Sequence, residues 1–242
     1  MTTQVAIVGG TGKLGRIIRG VVEAQPGFTV ASVLDSRSDL SEMDGADLVV
    51  DATNPGISEQ VVRQAVQRGI RVLVATSGWS AERIARIRQL VDDAGGTVVF
   101  VPNFSLGSVV GSALAARAAA YFSSIEIVEA HQDTKGDSPS GTAVRTAELI
   151  AEARSEPVAA PHVDQRARGQ QVASIPVHSL RRPGVVARQE VLFSGAGETL
   201  SITHDTVDPA RAYSPGIALA LTGALTATGV VVGLDAFLDI GA

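Results

Sequence analysis

The chain has 242 residues and a formal net charge of −5, which disfavours nucleic acid as a partner. Its length allows one large or two modest domains with a substantial core. It contains no cysteine, so disulfides and thiolate metal sites are excluded, and its four histidines lack the H-x-x-x-H spacing of a zinc site. No secretion signal or membrane-length apolar run is recognisable, so we expect a cytoplasmic protein with no metal and no membrane partner.

The first strand and the glycines after it predict a dinucleotide site. Residues 5–8 form a short apolar run, and residues 9–15 supply a G-x-x-G-x-x-G spacing before a helical pattern begins. Such glycines allow a tight turn, close approach of the backbone to a pyrophosphate and close helix packing. A second strand, residues 29–34, ends at Asp35, twenty residues after Gly15. An acidic side chain at that position accepts hydrogen bonds from a ribose diol.

The side chains around this turn leave the choice of cofactor open. Asp35 favours the unphosphorylated ribose of NADH. The basic side chains that lie where they can meet the 2′-phosphate of NADPH are Lys13, Arg16 and Arg37. We therefore expect either NADH or NADPH to be used, with NADH somewhat favoured.

Strands and helices go on alternating up to residue 101. We predict strands at 46–51, 71–75 and 97–101 and helices at 58–68 and 81–94. This alternation predicts a Rossmann-type α/β fold with a doubly wound parallel sheet, in which ligands bind beyond the carboxyl ends of the strands. Polar and glycine-containing turns follow these strands and are expected around the nicotinamide half of the cofactor, at residues 52–56, 76–78 and 102–105.

After residue 104 the pattern becomes that of an α+β domain. The predicted elements are a helix at 107–121, strands at 125–130, 174–180, 185–193 and 198–205, then an apolar helix at 217–226 and a strand at 230–234. The three strands from 174 to 205 are close together in sequence, which predicts antiparallel pairing. Residues 153–171 lack periodicity and are predicted to form a loop, in which Arg166 and Arg168 either reach a substrate or are solvated, with solvation favoured. A mostly antiparallel sheet with helices to one side leaves an open face for a subunit interface.

One polar segment, residues 129–143, concentrates reactive side chains. It reads EAHQDTKGDSPSGTA and holds an imidazole at His131 and, at Lys135, one of only two lysines in the chain. A helix is predicted to start at its end. The residues suited to the N-cap and first turn of that helix are Ser138 or Ser140 and Pro139. Backbone N–H groups at a helix start favour an anionic ligand such as a carboxylate, and Lys135 adds a full positive charge.

Seven motifs spread over nearly the whole chain form a recognisable set: VAIVGGTGKLGR, VVDATNP, VATSGWSAE, VPNFSLG, EAHQDTKGDSPSGTA, GETLSITHD and GLDAFLD. Together they resemble the 4-hydroxy-tetrahydrodipicolinate reductase family, also called the dihydrodipicolinate reductases. The fifth motif is the most specific, because the family's form is close to E-x-H-H-x-x-K-x-D-x-P-S-G-T. The resemblance implies an enzyme of lysine and diaminopimelate biosynthesis. Such an enzyme passes hydride from NADH or NADPH to a small cyclic dicarboxylate, the dehydrated form of 4-hydroxy-tetrahydrodipicolinate.

The resemblance also implies roles for individual residues. It makes His131 the acid/base histidine and Lys135 the catalytic lysine. The residues implied to contact the substrate are Gln132, Ser140, Gly141 and Thr142. Those implied to contact the cofactor are Gly9, Gly10, Thr11, Gly12, Lys13, Leu14, Asp35, Ala75, Thr76, Ser77, Val101, Pro102, Asn103 and Phe104, and the position of Arg37 adds it to this set. It further implies a homotetramer and two domains: 1–104 with 212–242 for the dinucleotide, and 105–211 for substrate and oligomerisation.

One position departs from the family pattern in a way that bears on the substrate. Gln132 stands where the family has a second histidine that helps bind substrate, and glutamine keeps a donor and an acceptor but cannot carry a charge. Gln132 therefore motivates a second hypothesis, a related reductase acting on another cyclic imine or enamine. A third hypothesis is a nicotinamide-binding regulator without turnover, which the retention of His131 and Lys135 disfavours. Two milder departures are Ala75 for glycine and Ser77 for threonine.

Overall fold

The computed structural model describes residues 2–240, which fall into two compact units. The first comprises residues 2–104 and Tyr213–Asp239, and the second comprises Ser105–Ala212 and residue 240. One unit is built on a parallel sheet and the other on a mixed sheet. Within residues 2–240, no helix combines the length and apolar character that crossing a membrane requires.

The first unit is a six-stranded parallel sheet with the order β11-β5-β4-β3-β1-β2. Its strands are β1 (Thr3–Val8), β2 (Phe28–Leu34), β3 (Leu48–Asp51), β4 (Arg71–Val74), β5 (Thr97–Phe100) and β11 (Gly229–Val232). Its helices are α1 (Lys13–Ala24), α2 (Pro55–Gln67), α3 (Ala81–Ala94) and most of α6 (Pro209–Thr226). The predicted Rossmann-type architecture is confirmed.

Both faces of this sheet are covered, as a doubly wound fold requires. On one face, Ala6 and Val49 pack with side chains of α2 and α3 in a single core. The alternate residues Ile7 and Val50 are also fully buried, so α1 and α6 cover the opposite face. Gln25, which follows α1, joins these two helices by hydrogen bonds to α6. The carboxyl ends of the strands are left as the edge where ligands bind in this architecture.

The second unit contains a five-stranded sheet with the order β10-β9-β6-β8-β7. Its strands are β6 (Ser124–His131), β7 (Gln170–Val172), β8 (Ile175–Arg181), β9 (Ala187–Gly195) and β10 (Glu198–Thr206). Three of the strand pairs are antiparallel, which confirms the predicted mostly antiparallel domain, whereas β6 and β8 run parallel. The parallel pair was not predicted. It is possible because α5 (Gly141–Glu152) and the segment after it give the chain length to cross over between the two strands.

Helices α4 (Leu106–Ala118) and α5 pack on one face of this mixed sheet. Ile127 of β6 and Phe193 of β9 form a core with Ala115 of α4 and Ile150 of α5. Side chains alternate between the two faces of a strand, so neighbouring residues point to the other face. That face carries the half-exposed Leu180 and charged side chains.

Several boundary predictions are wrong. Helix α6 begins at Pro209, not at residue 217, and continues through Pro215, because a single proline costs one backbone bond while the apolar residues after it stay buried. Strand β7 lies within the segment predicted as a loop. Arg168 is not simply solvated, since its guanidinium forms an ion pair with Glu126 of β6. Arg166 is exposed, as expected.

Candidate active-site residues

The turn between β1 and α1 has no room for a side chain at two of its glycines. Gly9 has φ +84°, and a Cβ atom there would lie 2.4 Å from the carbonyl oxygen of Ala52. A Cβ on Gly15 would lie 2.3 Å from the carbonyl oxygen of Gly9, because α1 packs directly against the turn. Only glycine allows both approaches. The resulting bare backbone, next to the N-terminus of α1, fits a pyrophosphate group.

The other predicted phosphate-binding residues surround this turn. Gly12 is the N-cap of α1, and its backbone is extended. Thr11, Gly12 and Lys13 are exposed, and Leu14 is half-buried. Gly10 is buried because it packs against Val33 of β2. The helix start thus presents backbone N–H groups and one lysine to solvent, an arrangement that attracts anions.

Asp35 follows β2 and is engaged by Arg37. One carboxylate oxygen accepts the Arg37 backbone N–H at 2.8 Å, and the other accepts Nη2 of the Arg37 side chain at 3.0 Å. The hydrogen bond from the Arg37 side chain is the main reason that the pKa of Asp35 lies below its ordinary value. The carboxylate is therefore ionised and suited to accept ribose hydroxyls, while the Arg37 side chain is 89% exposed, so solvent screens its ion pair with Asp35 and a phosphate can compete for it.

The loops after β3, β4 and β5 lie side by side. The Ala75 N–H and the Thr76 hydroxyl both donate to the carbonyl oxygen of Asp51, at 2.8 and 3.3 Å. The Val101 N–H donates to the carbonyl oxygen of Val74 at 2.9 Å. All predicted cofactor residues beyond Arg37 are in these loops, namely Ala75, Thr76, Ser77, Val101, Pro102, Asn103 and Phe104.

A buried carboxylate supports these loops, and the sequence did not reveal it. Asp51 is fully buried at the end of β3, where it accepts hydrogen bonds from the hydroxyls of Thr53 and Ser58. The indole N–H of Trp79 donates to the same Ser58 oxygen at 2.9 Å. This network joins the end of β3 to the start of α2 and to the loop before α3.

In the second unit, His131 is the last residue of β6 and is held by Glu129. The distance from His131 Nδ1 to Glu129 Oε2 is 2.6 Å. Glu129 is fully buried and also accepts two contacts from Arg181 Nη1, at 3.0 and 3.1 Å. Burial, the largest single influence, raises the pKa of Glu129, but hydrogen bonds from Ser179, His131 and Arg181 together outweigh it and leave the pKa below its ordinary value.

Lys135 lies in the loop between β6 and α5. Its ammonium contacts both carboxylate oxygens of Asp137, at 2.7 and 2.8 Å. The hydrogen bond from Lys135 is the main reason that the pKa of Asp137 is lowered. The pair is partly exposed, so solvent screens it and an incoming carboxylate can exchange with Asp137. Gln132 is exposed in the same loop, and its carbonyl oxygen accepts the Lys135 backbone N–H.

The start of α5 faces the end of this loop. Ser140 is the N-cap, and its side chain accepts the Ala143 N–H at 3.2 Å. Gly141 and Thr142 are therefore the first two helical residues, where backbone N–H groups have no partner within the helix. Pro139 precedes the N-cap, so the prediction that it occupies the first turn is wrong.

Glu129 and Arg181 were given no role by the sequence reasoning. A signal for Glu129 was present, because it continues the alternation of Ile125 and Ile127 and so belongs to the buried face of β6. Arg181 gave no such signal, since it lies one residue beyond the predicted end of its strand. Among residues 2–240, no group of three or more histidine, aspartate or glutamate side chains is arranged to hold a metal ion.

Comparison with known families identifies both units. The sequence model of the dihydrodipicolinate reductase N-terminus matches residues 3–104, and that of the C-terminus matches residues 107–238. The chain belongs to the dihydrodipicolinate reductase family. The second of these matches contains the whole 129–143 segment, so the family assignment covers the residues with reactive side chains as well as the nucleotide fold.

Individual relatives agree with this assignment. The chain is 56% identical to the 4-hydroxy-tetrahydrodipicolinate reductase of Clavibacter sepedonicus over 99% of its own length and 87% of the relative. It is 40% identical to the enzyme of the same name from Streptomyces griseus, over 98% of both chains. A solved dihydrodipicolinate reductase from Paenisporosarcina sp. TG-14, bound to dipicolinate, superposes with a TM-score of 0.83 at 30% identity and covers 98% of this chain and 100% of that one.

Proposed function

We propose that this protein is an NAD(P)H-dependent oxidoreductase that reduces the dehydrated form of 4-hydroxy-tetrahydrodipicolinate to tetrahydrodipicolinate, in lysine and diaminopimelate biosynthesis. The observation that carries the proposal is the 129–143 segment, in which His131, Lys135 and the N-terminus of α5 follow one another on a short loop. The family membership and the names of its relatives support the same reaction.

The first unit supplies the nucleotide site in this proposal. Gly9 to Leu14 hold the pyrophosphate with backbone N–H groups, and Asp35 accepts hydrogen bonds from the adenosine ribose. The loops after β4 and β5, with Thr76 and Asn103, hold the nicotinamide half. When bound, the reduced nicotinamide supplies the hydride.

The second unit supplies the substrate site. Lys135 and the backbone N–H groups of Gly141 and Thr142 bind a substrate carboxylate, because a cation and a helix N-terminus both favour negative charge. Hydride addition at C4 of the unsaturated imine leaves excess electron density on the substrate. His131 then gives a proton to the neighbouring carbon of the former double bond. Gln132 adds a neutral hydrogen-bonding contact to the substrate, and Ser140 fixes the helix start.

The direct test is the loss of nicotinamide absorbance when freshly generated 4-hydroxy-tetrahydrodipicolinate is added to the purified protein, with NADH and NADPH in parallel. We expect rapid oxidation of both cofactors. If neither is oxidised although both bind, the proposed substrate is wrong, and other cyclic imino acids become the substrates to try.

Cofactor preference is expected to depend on the Asp35–Arg37 pair. Asp35→Ala should raise the KM for NADH roughly tenfold, since the charge-assisted hydrogen bonds to the ribose are lost. Arg37→Ala should raise the KM for NADPH by a similar factor and leave the KM for NADH nearly unchanged, because only NADPH carries the 2′-phosphate. Steady-state kinetics with each cofactor measure both effects, and parallel losses for the two cofactors in either variant would contradict these roles.

Gln132→His is expected to raise kcat/KM for the dicarboxylate roughly threefold to tenfold, corresponding to about 1 kcal/mol. An imidazole can carry the charge that glutamine lacks, and the exposed position accommodates it without repacking. Gln132→Asn is the control, because it keeps the amide and should give no gain. If kcat/KM for the dicarboxylate does not rise in the histidine variant either, substrate binding in this protein depends on residues other than the one at position 132.

We also propose that the protein is a cytoplasmic homotetramer associating through the open face of the mixed sheet. Leu180 is 43% exposed on that face, where it is paired with Ala130 of β6, and the next strand, β9, contributes Arg188 and Glu190 to the same face. Light scattering coupled to gel filtration distinguishes four copies from one.

A further inference from the structure

The second unit contains a buried carboxylate, that of Glu129, to which the proposed function gives no role. Glu129 is fully buried at the end of β6, between the apolar core and His131. A buried carboxylate costs free energy unless it is paired and hydrogen-bonded. Its partners are His131, Arg181, Ser179 and the Ser140 N–H, the last at 3.3 Å. Two residues that the proposed function uses, His131 and Ser140, thus meet at one side chain.

Arg181 extends the same connection to the loop that carries Lys135. The parallel register of β6 and β8 sets Arg181 directly opposite His131. Besides both Glu129 oxygens, its guanidinium donates to the backbone carbonyl of Lys135, at 3.3 Å, and to that of Asp137. It also donates to the carbonyl of Leu180, and a planar group with several fixed donors is suited to contacting a carboxylate and several carbonyls at once.

We propose that Glu129 and Arg181 are positioning residues for catalysis: Glu129 accepts the Nδ1–H of His131 and so makes Nε2 the nitrogen that gives the proton, while Arg181 fixes the loop that presents Lys135. This inference rests on the proposed function. An ionised carboxylate can only accept hydrogen bonds, so Nδ1 must carry hydrogen for a 2.6 Å contact to form.

The proton balance follows from this arrangement. In the imidazolium form both ring nitrogens carry hydrogen. The Nε2–H bond breaks as its proton joins the carbon beside C4, and the hydride added at C4 comes from the reduced nicotinamide. The neutral ring then keeps its hydrogen on Nδ1, still donated to Glu129, and Nε2 regains a proton from water. Glu129 keeps its negative charge throughout, as the orienting carboxylate of a triad does.

The first measurement needs no variant. Imidazole ¹⁵N chemical shifts distinguish a protonated from an unprotonated ring nitrogen, and the His131 signals are assigned by their loss in His131→Asn. We expect the wild-type protein to keep Nδ1 protonated at every pH at which it is folded. A neutral His131 that carries its hydrogen on Nε2 would overturn the proposal, whatever the substrate proves to be.

The second measurement is the kinetic effect of Glu129→Gln. We expect kcat to fall roughly 100-fold, because the ring loses its fixed tautomer and orientation, while the Kd for NADH stays within a factor of two. Arg181→Lys keeps the positive charge but loses the planar guanidinium with its several donors, so it should lower kcat by a smaller factor and raise the KM for the dicarboxylate. Wild-type kinetics in Glu129→Gln together with an unchanged His131 spectrum would overturn the proposal.

A matched control lies on the same strand. Glu126 is also paired with one arginine and one histidine, Arg168 and His178, but on the opposite face of β6. Glu126→Gln should therefore change stability without changing kcat or the His131 spectrum. Equal falls in kcat for the two variants, at an unchanged oligomer size by gel filtration, would mean that Glu129 is merely structural. If the wild-type protein oxidises neither cofactor, the proposed function fails, whereas the ring spectrum still tests the Glu129 contact.

Discussion

Replacing Lys135 with alanine is expected to lower kcat at least roughly 100-fold while leaving the Kd for NADH unchanged. Lys135 is the only lysine or arginine in the 129–143 segment, and its removal leaves the substrate carboxylate that it is proposed to bind with backbone donors alone. The residues proposed to bind the nucleotide belong to the first unit and are untouched by the change. Steady-state kinetics and fluorescence titration with NADH measure the two quantities.

Two further variants define the cause of that loss. Lys135→Arg keeps the positive charge, yet it should recover little activity, because the larger, planar guanidinium group cannot replace a compact ammonium in the same space. Arg145→Ala removes an exposed cation from α5, where Arg145 pairs with Glu152, and should leave kcat unchanged. Equal losses of turnover and NADH binding in Lys135→Ala would contradict the division of labour between the two units.

Replacing Gly15 with alanine is expected to abolish tight nucleotide binding and to destabilise the first unit by about 2–3 kcal/mol. The new Cβ would lie 2.3 Å from the Gly9 carbonyl oxygen and 2.7 Å from Gly10 Cα, and backbone atoms cannot move aside as a flexible side chain can. The turn must therefore shift, which displaces the N–H groups that are proposed to hold the pyrophosphate. Thermal unfolding and NADH titration measure the two effects.

Gly111→Ala is the control for this substitution. Gly111 lies inside α4, and the nearest atom to an added Cβ is Ile202 Cγ2 at 3.8 Å, an ordinary contact distance. Alanine in a helix interior should stabilise the protein by roughly 0.5–1 kcal/mol. If Gly15→Ala instead binds NADH with wild-type affinity, the turn does not have the strict geometry that its contacts indicate.

Local patterns in the sequence were sufficient for most of the strands and helices and for the order of the reactive side chains. The glycine turn at 9–15 depends on residues adjacent in sequence, and so does the delivery of His131 at the end of an alternating strand. The helix that starts after Ser140 was readable from its cap residues. Each of these features spans a few residues, over which periodicity and backbone preference act directly.

Only the tertiary structure determined which long-range contacts fix these local elements in place. Arg181 reaches Glu129 across 52 residues of sequence, and the pairing exists only because β6 and β8 run parallel in one register. Pairing in a sheet is set by long-range packing, which a short sequence window does not contain, so β7 and the direction of β8 were missed. The sequence by itself determined which groups are proposed to do the chemistry. The fold decided which buried charges contact them, because pairing a buried carboxylate requires partners from distant strands.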